Sequence, residues 1–167
     1  MKFSSQEEYG LRCLLRIARE GGDIGLTIPE IALAEGISRA YAAKLLRILR
    51  QARLLKSARG KIGGYTLARP PREIRVGEAL AALGGRLFES DFCMGHGGIM
   101  GICTSSVDCS IRSLWQAVQH MVDRVLSQTT LADLLGSEQE TATRVTPLVR
   151  LPEAPDPARP QLPEKAP

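Results

Sequence analysis

The chain has 167 residues, 44% of them hydrophobic, and a formal net charge of +4. That length supports one core with a small appended element and excludes two large domains. There is no run of about 18 apolar residues, and the start, MKFSSQEEYG, lacks the basic-then-apolar layout of a secretory signal. A cytoplasmic protein with no membrane partner is therefore expected, with its cysteines reduced unless they do chemistry.

The charge is unevenly spread. Residues 1–75 hold 15 Lys and Arg against 7 Asp and Glu, whereas residues 76–167 hold 7 against 11. Clustered cations release counterions from a phosphate backbone, so the first half is where a nucleic acid is to be sought.

In chain order, Ser4 or Ser5 can cap a first helix running to about Glu20, with Tyr9, Leu11, Leu14, Leu15 and Ala18 at helical spacing. Cys13 lies within it as a small apolar residue. Pro29 opens a short helix, Gly36 breaks it, and Ser38 caps a second that runs to about Gln51, which is a helix-turn-helix pattern. On that second helix Ala42, Leu45, Leu46 and Leu49 face inward, leaving Arg39, Lys44, Arg47 and Arg50 for water or phosphate. Two short strands, residues 54–57 and 65–68, flank the basic, glycine-rich stretch 58–64 with Arg59 and Lys61. This is the layout of a wing whose cations reach a narrow groove.

After Pro70-Pro71, Val76 to Leu83 reads as a short helix. A glycine-rich loop follows, and then a long helix from an Asp108 cap to about Ser127. Its stripe of Ile111, Leu114, Trp115, Val118, Val122 and Val125 is suited to a second copy of the chain. Thr130 to Leu135 forms a last short helix. From Ser137 onward seven of the ten prolines occur with few large apolar residues, and disorder is expected. The fold class is thus mainly α, a winged helix-turn-helix with a long dimerisation helix and a disordered tail. Its parts are a DNA-binding domain (1–83), a cysteine loop (84–109), a dimerisation helix with a short closing helix (110–136) and the tail (137–167).

The loop places Cys93, Cys103 and Cys109 in the spacing C-x9-C-x5-C. Three thiols so concentrated in a reducing compartment suit an iron-sulfur cluster, and a helix N-terminus favours the thiolate of Cys109. A zinc site of Cys93, His96, Cys103 and Cys109, or a thiol-disulfide switch, remains open, although no C-x2-C pair is present. There is no H-E-x-x-H, no G-x-S-x-G and no phosphate loop, since Gly60-Lys61 is followed by Ile62. Neither an enzyme nor a small-molecule substrate is expected.

Gly36-Ile37-Ser38 with Tyr41, Arg59-Gly60 with Gly63-Gly64-Tyr65, Val76-Gly77-Glu78 and the three cysteines together resemble the Rrf2 family of bacterial iron-sulfur transcriptional regulators, over roughly residues 1–135. The resemblance implies a homodimer on a palindromic operator, with the second helices in major grooves and the wings in minor grooves. Ser38, Arg39, Tyr41 and Lys44 would then meet bases or phosphates, and Arg59, with Lys61 nearby, would enter a minor groove. It also implies a 2Fe-2S or 4Fe-4S cluster on Cys93, Cys103 and Cys109 that senses redox state, nitric oxide or cluster supply; repression by the loaded form is the expectation, with repression by the apo form the alternative. Some members take a fourth ligand from a histidine three residues after the last cysteine. Here that residue is Arg112, which cannot coordinate. Other members use a first-helix carboxylate from the partner subunit, and Glu8 stands at that place, with His96 as the runner-up.

Overall fold

The computed structural model describes residues 4–58, 63–85 and 108–149. Helix α1 (Ser5–Glu20) starts in a reciprocal cap: the Ser4 amide donates to the Glu7 carboxylate at 2.7 Å, and the Glu7 amide donates back to Ser4 Oγ at 3.3 Å. This satisfies two otherwise orphaned donors. Helix α2 (Ile28–Glu35) repeats the device between Thr27 and Glu30 and ends at Gly36, whose φ of 66° is left-handed. Ser38 Oγ accepts from the Tyr41 amide at 3.2 Å and so starts α3 (Arg39–Gln51). At the far end of α3, Arg53 takes φ 58°, which lets the Leu54 amide reach the Leu49 carbonyl at 3.0 Å. This closes the helix in a turn that more often uses glycine.

Strands β1 (Leu55–Ser57) and β2 (Tyr65–Leu67) pair antiparallel, Leu55 opposite Leu67 and Ser57 opposite Tyr65. The stem of the wing is also tied to the segment entering α2. Leu26 and Tyr65 exchange both backbone hydrogen bonds, at 3.0 and 2.7 Å. A 3-10 turn, Pro71–Glu73, leads into α4 (Val76–Leu83).

The long helix is α5 (Ser110–Gln128). Its N-cap is Cys109 rather than the expected Asp108: Cys109 Sγ accepts from the Arg112 amide at 3.4 Å. A thiol one residue further on meets the third helical amide, which Asp108 does not reach. After α5 the chain returns to the body. The Val76 amide donates to the Thr129 carbonyl at 2.9 Å and the Leu131 amide to the Ile74 carbonyl at 2.8 Å. Leu131 thereby enters the same core as Leu14, Ile31, Leu45, Leu46, Leu49, Leu54, Ile74 and Leu83. The boundary read at residue 83 therefore does not divide the core, since the closing segment completes the DNA-binding module. Cys13 is fully buried here, and burial pushes its thiol up to about 12, which makes it a packing group as expected.

Disorder from Ser137 onward is corrected for its first part. Residues Glu138–Val149 form α6. Ser137 and Glu140 cap it reciprocally, with the Ser137 amide donating to the Glu140 carboxylate at 2.8 Å and the Glu140 amide to Ser137 Oγ at 3.3 Å. Thr141 Oγ1 donates to the Asp133 carbonyl at 3.1 Å, and Arg144 lies 3.5 Å from the Asp133 carboxylate. Composition averaged over the whole tail hid this local signal. Residues 150–167 lie outside the described residues. No helix among the described residues is long and apolar enough to cross a membrane.

Candidate nucleic-acid interface and sensor residues

Because Ala42, Leu45, Leu46 and Leu49 are buried, helical geometry turns Arg39, Lys44, Arg47 and Arg50 to solvent, where all four are exposed. None of them forms an ion pair among the described residues. Arg50 alone is held, with Nη1 donating to Ser57 Oγ at 3.3 Å, which couples the end of α3 to the first wing strand. Four exposed guanidinium or ammonium groups on the second helix of a helix-turn-helix make a surface for a polyanion. Ser38 is exposed as expected; its oxygen is used by the cap, and its hydroxyl proton is left to donate.

Tyr41 is placed differently from a purely surface contact. It is half-buried and meets Tyr9 edge-on, with centroids 6.2 Å apart and an interplanar angle of 75°. The Arg12 guanidinium sits 5.3 Å from the Tyr9 ring centroid. Arg59 and Lys61, the wing cations, lie outside the described residues.

Sequence patterns did not reveal the joint between α1 and α2. Glu35, with its side chain 4% exposed, accepts from Arg12 Nε at 2.8 Å on one oxygen and from Arg16 Nε at 2.8 Å on the other. Burial pushes this carboxyl up, but the hydrogen bonds and charges of Arg16 and Arg12 together outweigh it, so its pKa is lowered. The available signal was a pair of arginines at i, i+4 on α1, with nothing to name their partner on another helix.

Of the expected ligand set, Cys109 and Glu8 are described, whereas Cys93, His96 and Cys103 lie outside the described residues. Among the described residues no three of His, Cys, Asp and Glu come together. Cys109 is partly exposed at the α5 N-terminus, where its Sγ accepts from the Arg112 amide. Glu8 is exposed on the first turns of α1, and its carboxylate has no hydrogen-bond or ion-pair partner among the described residues. A carboxylate and a helix-capping thiol are suitable donors for iron.

Along α5 the apolar stripe divides. Ile111, Leu114 and Trp115 are 61%, 57% and 44% exposed. Val118, Val122 and Val125 are half-buried, the far end of the helix lying against α4 and α6.

The family described as "Rrf2: Iron-dependent Transcriptional regulator" matches residues 3–137. The protein rrf2 of Nitratidesulfovibrio vulgaris is 35% identical over 135 residues, covering 81% of this chain and 87% of that protein. The solved structure of T. potens IscR is similar with a TM-score of 0.63 at 33% identity, covering 81% of this chain and 86% of the other. The oxidized form of Staphylococcus aureus CymR is similar with a TM-score of 0.64 at 29% identity, covering 82% and 98%.

Proposed function

Because the chain belongs to the Rrf2 family of transcriptional regulators, and so is a DNA-binding regulator rather than an enzyme, we propose that it acts as a homodimeric repressor controlled by an iron-sulfur cluster. Cys93, Cys103 and Cys109 of one subunit and Glu8 of the partner subunit would hold the cluster. The observation that carries this reading is Glu8: an exposed acid, with no hydrogen bond or ion pair among the described residues, on the helix whose next turns grip the DNA-binding unit. When bound, the cluster supplies iron-thiolate bonds that oxidation or nitric oxide breaks.

The chain's own residues convert ligation into geometry. Arg12 and Arg16 hold α2 through Glu35, and Tyr9 meets Tyr41 on α3. A pull on Glu8 is thus felt by both helices of the helix-turn-helix, because packed interiors transmit displacement. A 10- to 100-fold change in operator affinity needs about 1.4 to 2.8 kcal/mol of differential stabilisation. The exposed Ile111, Leu114 and Trp115 supply the dimer face.

Glu8→Ala is expected to change the visible spectrum or the stability of the loaded protein in air while leaving the melting temperature of the apo protein within about 2 °C, since a lone exposed side chain contributes little. An unchanged spectrum moves the fourth position to His96. For the DNA face, Arg47→Ala and Arg59→Ala should each weaken operator binding and reduce the slope of log K against log salt by about 1. Unaltered binding in Arg59→Ala would remove the wing from the interface.

A second reading, a thiol-disulfide switch, is favoured by the similarity to CymR, solved in an oxidized form. It needs only two thiols and gives Glu8 no part. A zinc site of Cys93, His96, Cys103 and Cys109 is a separate alternative, without a role for Glu8.

A further inference from the structure

The α6 helix lies beyond the family match, which ends at residue 137. It does not lie flat on the body. Between α6, the C-terminal half of α5 and the last turns of α1 runs a groove of about 820 Å³, walled by apolar side chains that include Leu15, Val76, Leu126, Leu134, Val145 and Val149. Its size falls within the roughly 300–1,000 Å³ of sites that hold small organic molecules. Among the described residues the wall contains one cation, Arg19, and one acid, Glu138. Glu138 stands in the first turn of α6, where its charge is matched by the helix dipole. Arg19 has no such match: Nη2 donates to the Leu134 carbonyl at 3.2 Å, and no carboxylate pairs with it among the described residues. One guanidinium edge is thereby fixed across the rim while its remaining N–H groups stay available.

We propose that this groove is a binding site for a long-chain fatty acid, the acyl chain lying along the apolar wall and the carboxylate meeting Arg19. The charge balance of the wall selects this occupant. An extended apolar surface ending in one oriented guanidinium, with no carboxylate partner among the described residues, complements a molecule with one anionic end and no other polar group. No residue of α3 lines the groove, and the proposal does not depend on whether a cluster is present.

The test titrates the full-length protein with a fluorescent polyene fatty acid below its micellar threshold, followed by displacement with palmitate and with methyl palmitate. Saturable binding of one molecule per chain, displaced by palmitate, is expected. Arg19→Gln should weaken palmitate by about tenfold, the value of one charge-assisted contact, and leave the methyl ester unchanged. Ala142→Trp fills the groove from an exposed position and should abolish both, with its melting temperature confirming that the fold is kept. The proposal is overturned by non-saturable binding to the wild type, by undiminished binding in Ala142→Trp, or by equal weakening of acid and ester in Arg19→Gln. It is also overturned if the wild type binds no fatty acid while Ala142→Trp turns dimers into monomers on sedimentation, since the groove then receives a second copy of this chain.

Discussion

Glu35→Gln is expected to destabilise the fold by about 2–4 kcal/mol, because breaking a buried, doubly bonded ion pair strands its charges. The carboxylate is 4% exposed and uses one oxygen for each arginine. Glutamine keeps the volume but turns an NH2 toward a guanidinium, so one acceptor is lost and one donor is left facing a donor. The cost stays below the upper range for buried pairs because Arg12 and Arg16 are 46% and 29% exposed and can rehydrate. Urea unfolding of the two proteins measures it, and a difference under about 0.5 kcal/mol would reduce the joint to an ordinary surface pair.

The same joint sets a pH dependence with a definite sign. The folded-state pKa of Glu35 is lowered, so its contribution is complete above the unfolded glutamate value of about 4.3 and is lost as pH falls through the folded value. The gap between wild type and Glu35→Gln should therefore be flat from neutral pH to about 5 and close progressively in acid below about 4.

Gly25→Ala is the second large effect, about 2–3 kcal/mol together with a loss of operator affinity of about tenfold or more. Gly25 has φ +83°, and a Cβ there would lie 2.7 Å from the Tyr65 carbonyl oxygen and 2.8 Å from Thr66 Cγ2. The obstacle is backbone, and it cannot retreat without breaking the Leu26–Tyr65 exchange that holds the wing stem to the start of α2. Gly22→Ala is the matched control. It also has positive φ, at +46°, but meets nothing within 4 Å, so it should cost only about 1 kcal/mol and leave DNA binding intact. Equal effects at both glycines, in thermal melts and operator titrations, would place the cost in backbone conformation alone.

The helices were legible where the chain punctuates itself. Ser4, Pro29, Gly36, Ser38 and the Val76–Leu83 run gave boundaries within a residue or two, since caps and breakers act over one turn. What joins the helices was not legible. Glu35 finds Arg12 and Arg16 across 23 and 19 positions, and no local period announces such a pair. The meeting of Tyr41 with Tyr9 was likewise not legible, since it depends on how α1 crosses α3. Residues 138–149 were misread for another reason. Seven prolines averaged over the tail concealed Ser137 and Glu140 at capping spacing and Ala142, Val145 and Val149 at helical spacing. At the candidate sensor, the sequence named Cys109, and the family resemblance pointed to Glu8. The structure adds the Sγ cap of the first and the exposure of the second.

Control by an iron-sulfur cluster is tested most directly by purifying the protein without oxygen and measuring visible absorption with iron and acid-labile sulfide. A coloured protein with iron and sulfide in equal amounts, bleached by air or nitric oxide, is expected. A colourless protein, whether carrying one zinc per chain or no metal, would contradict the account.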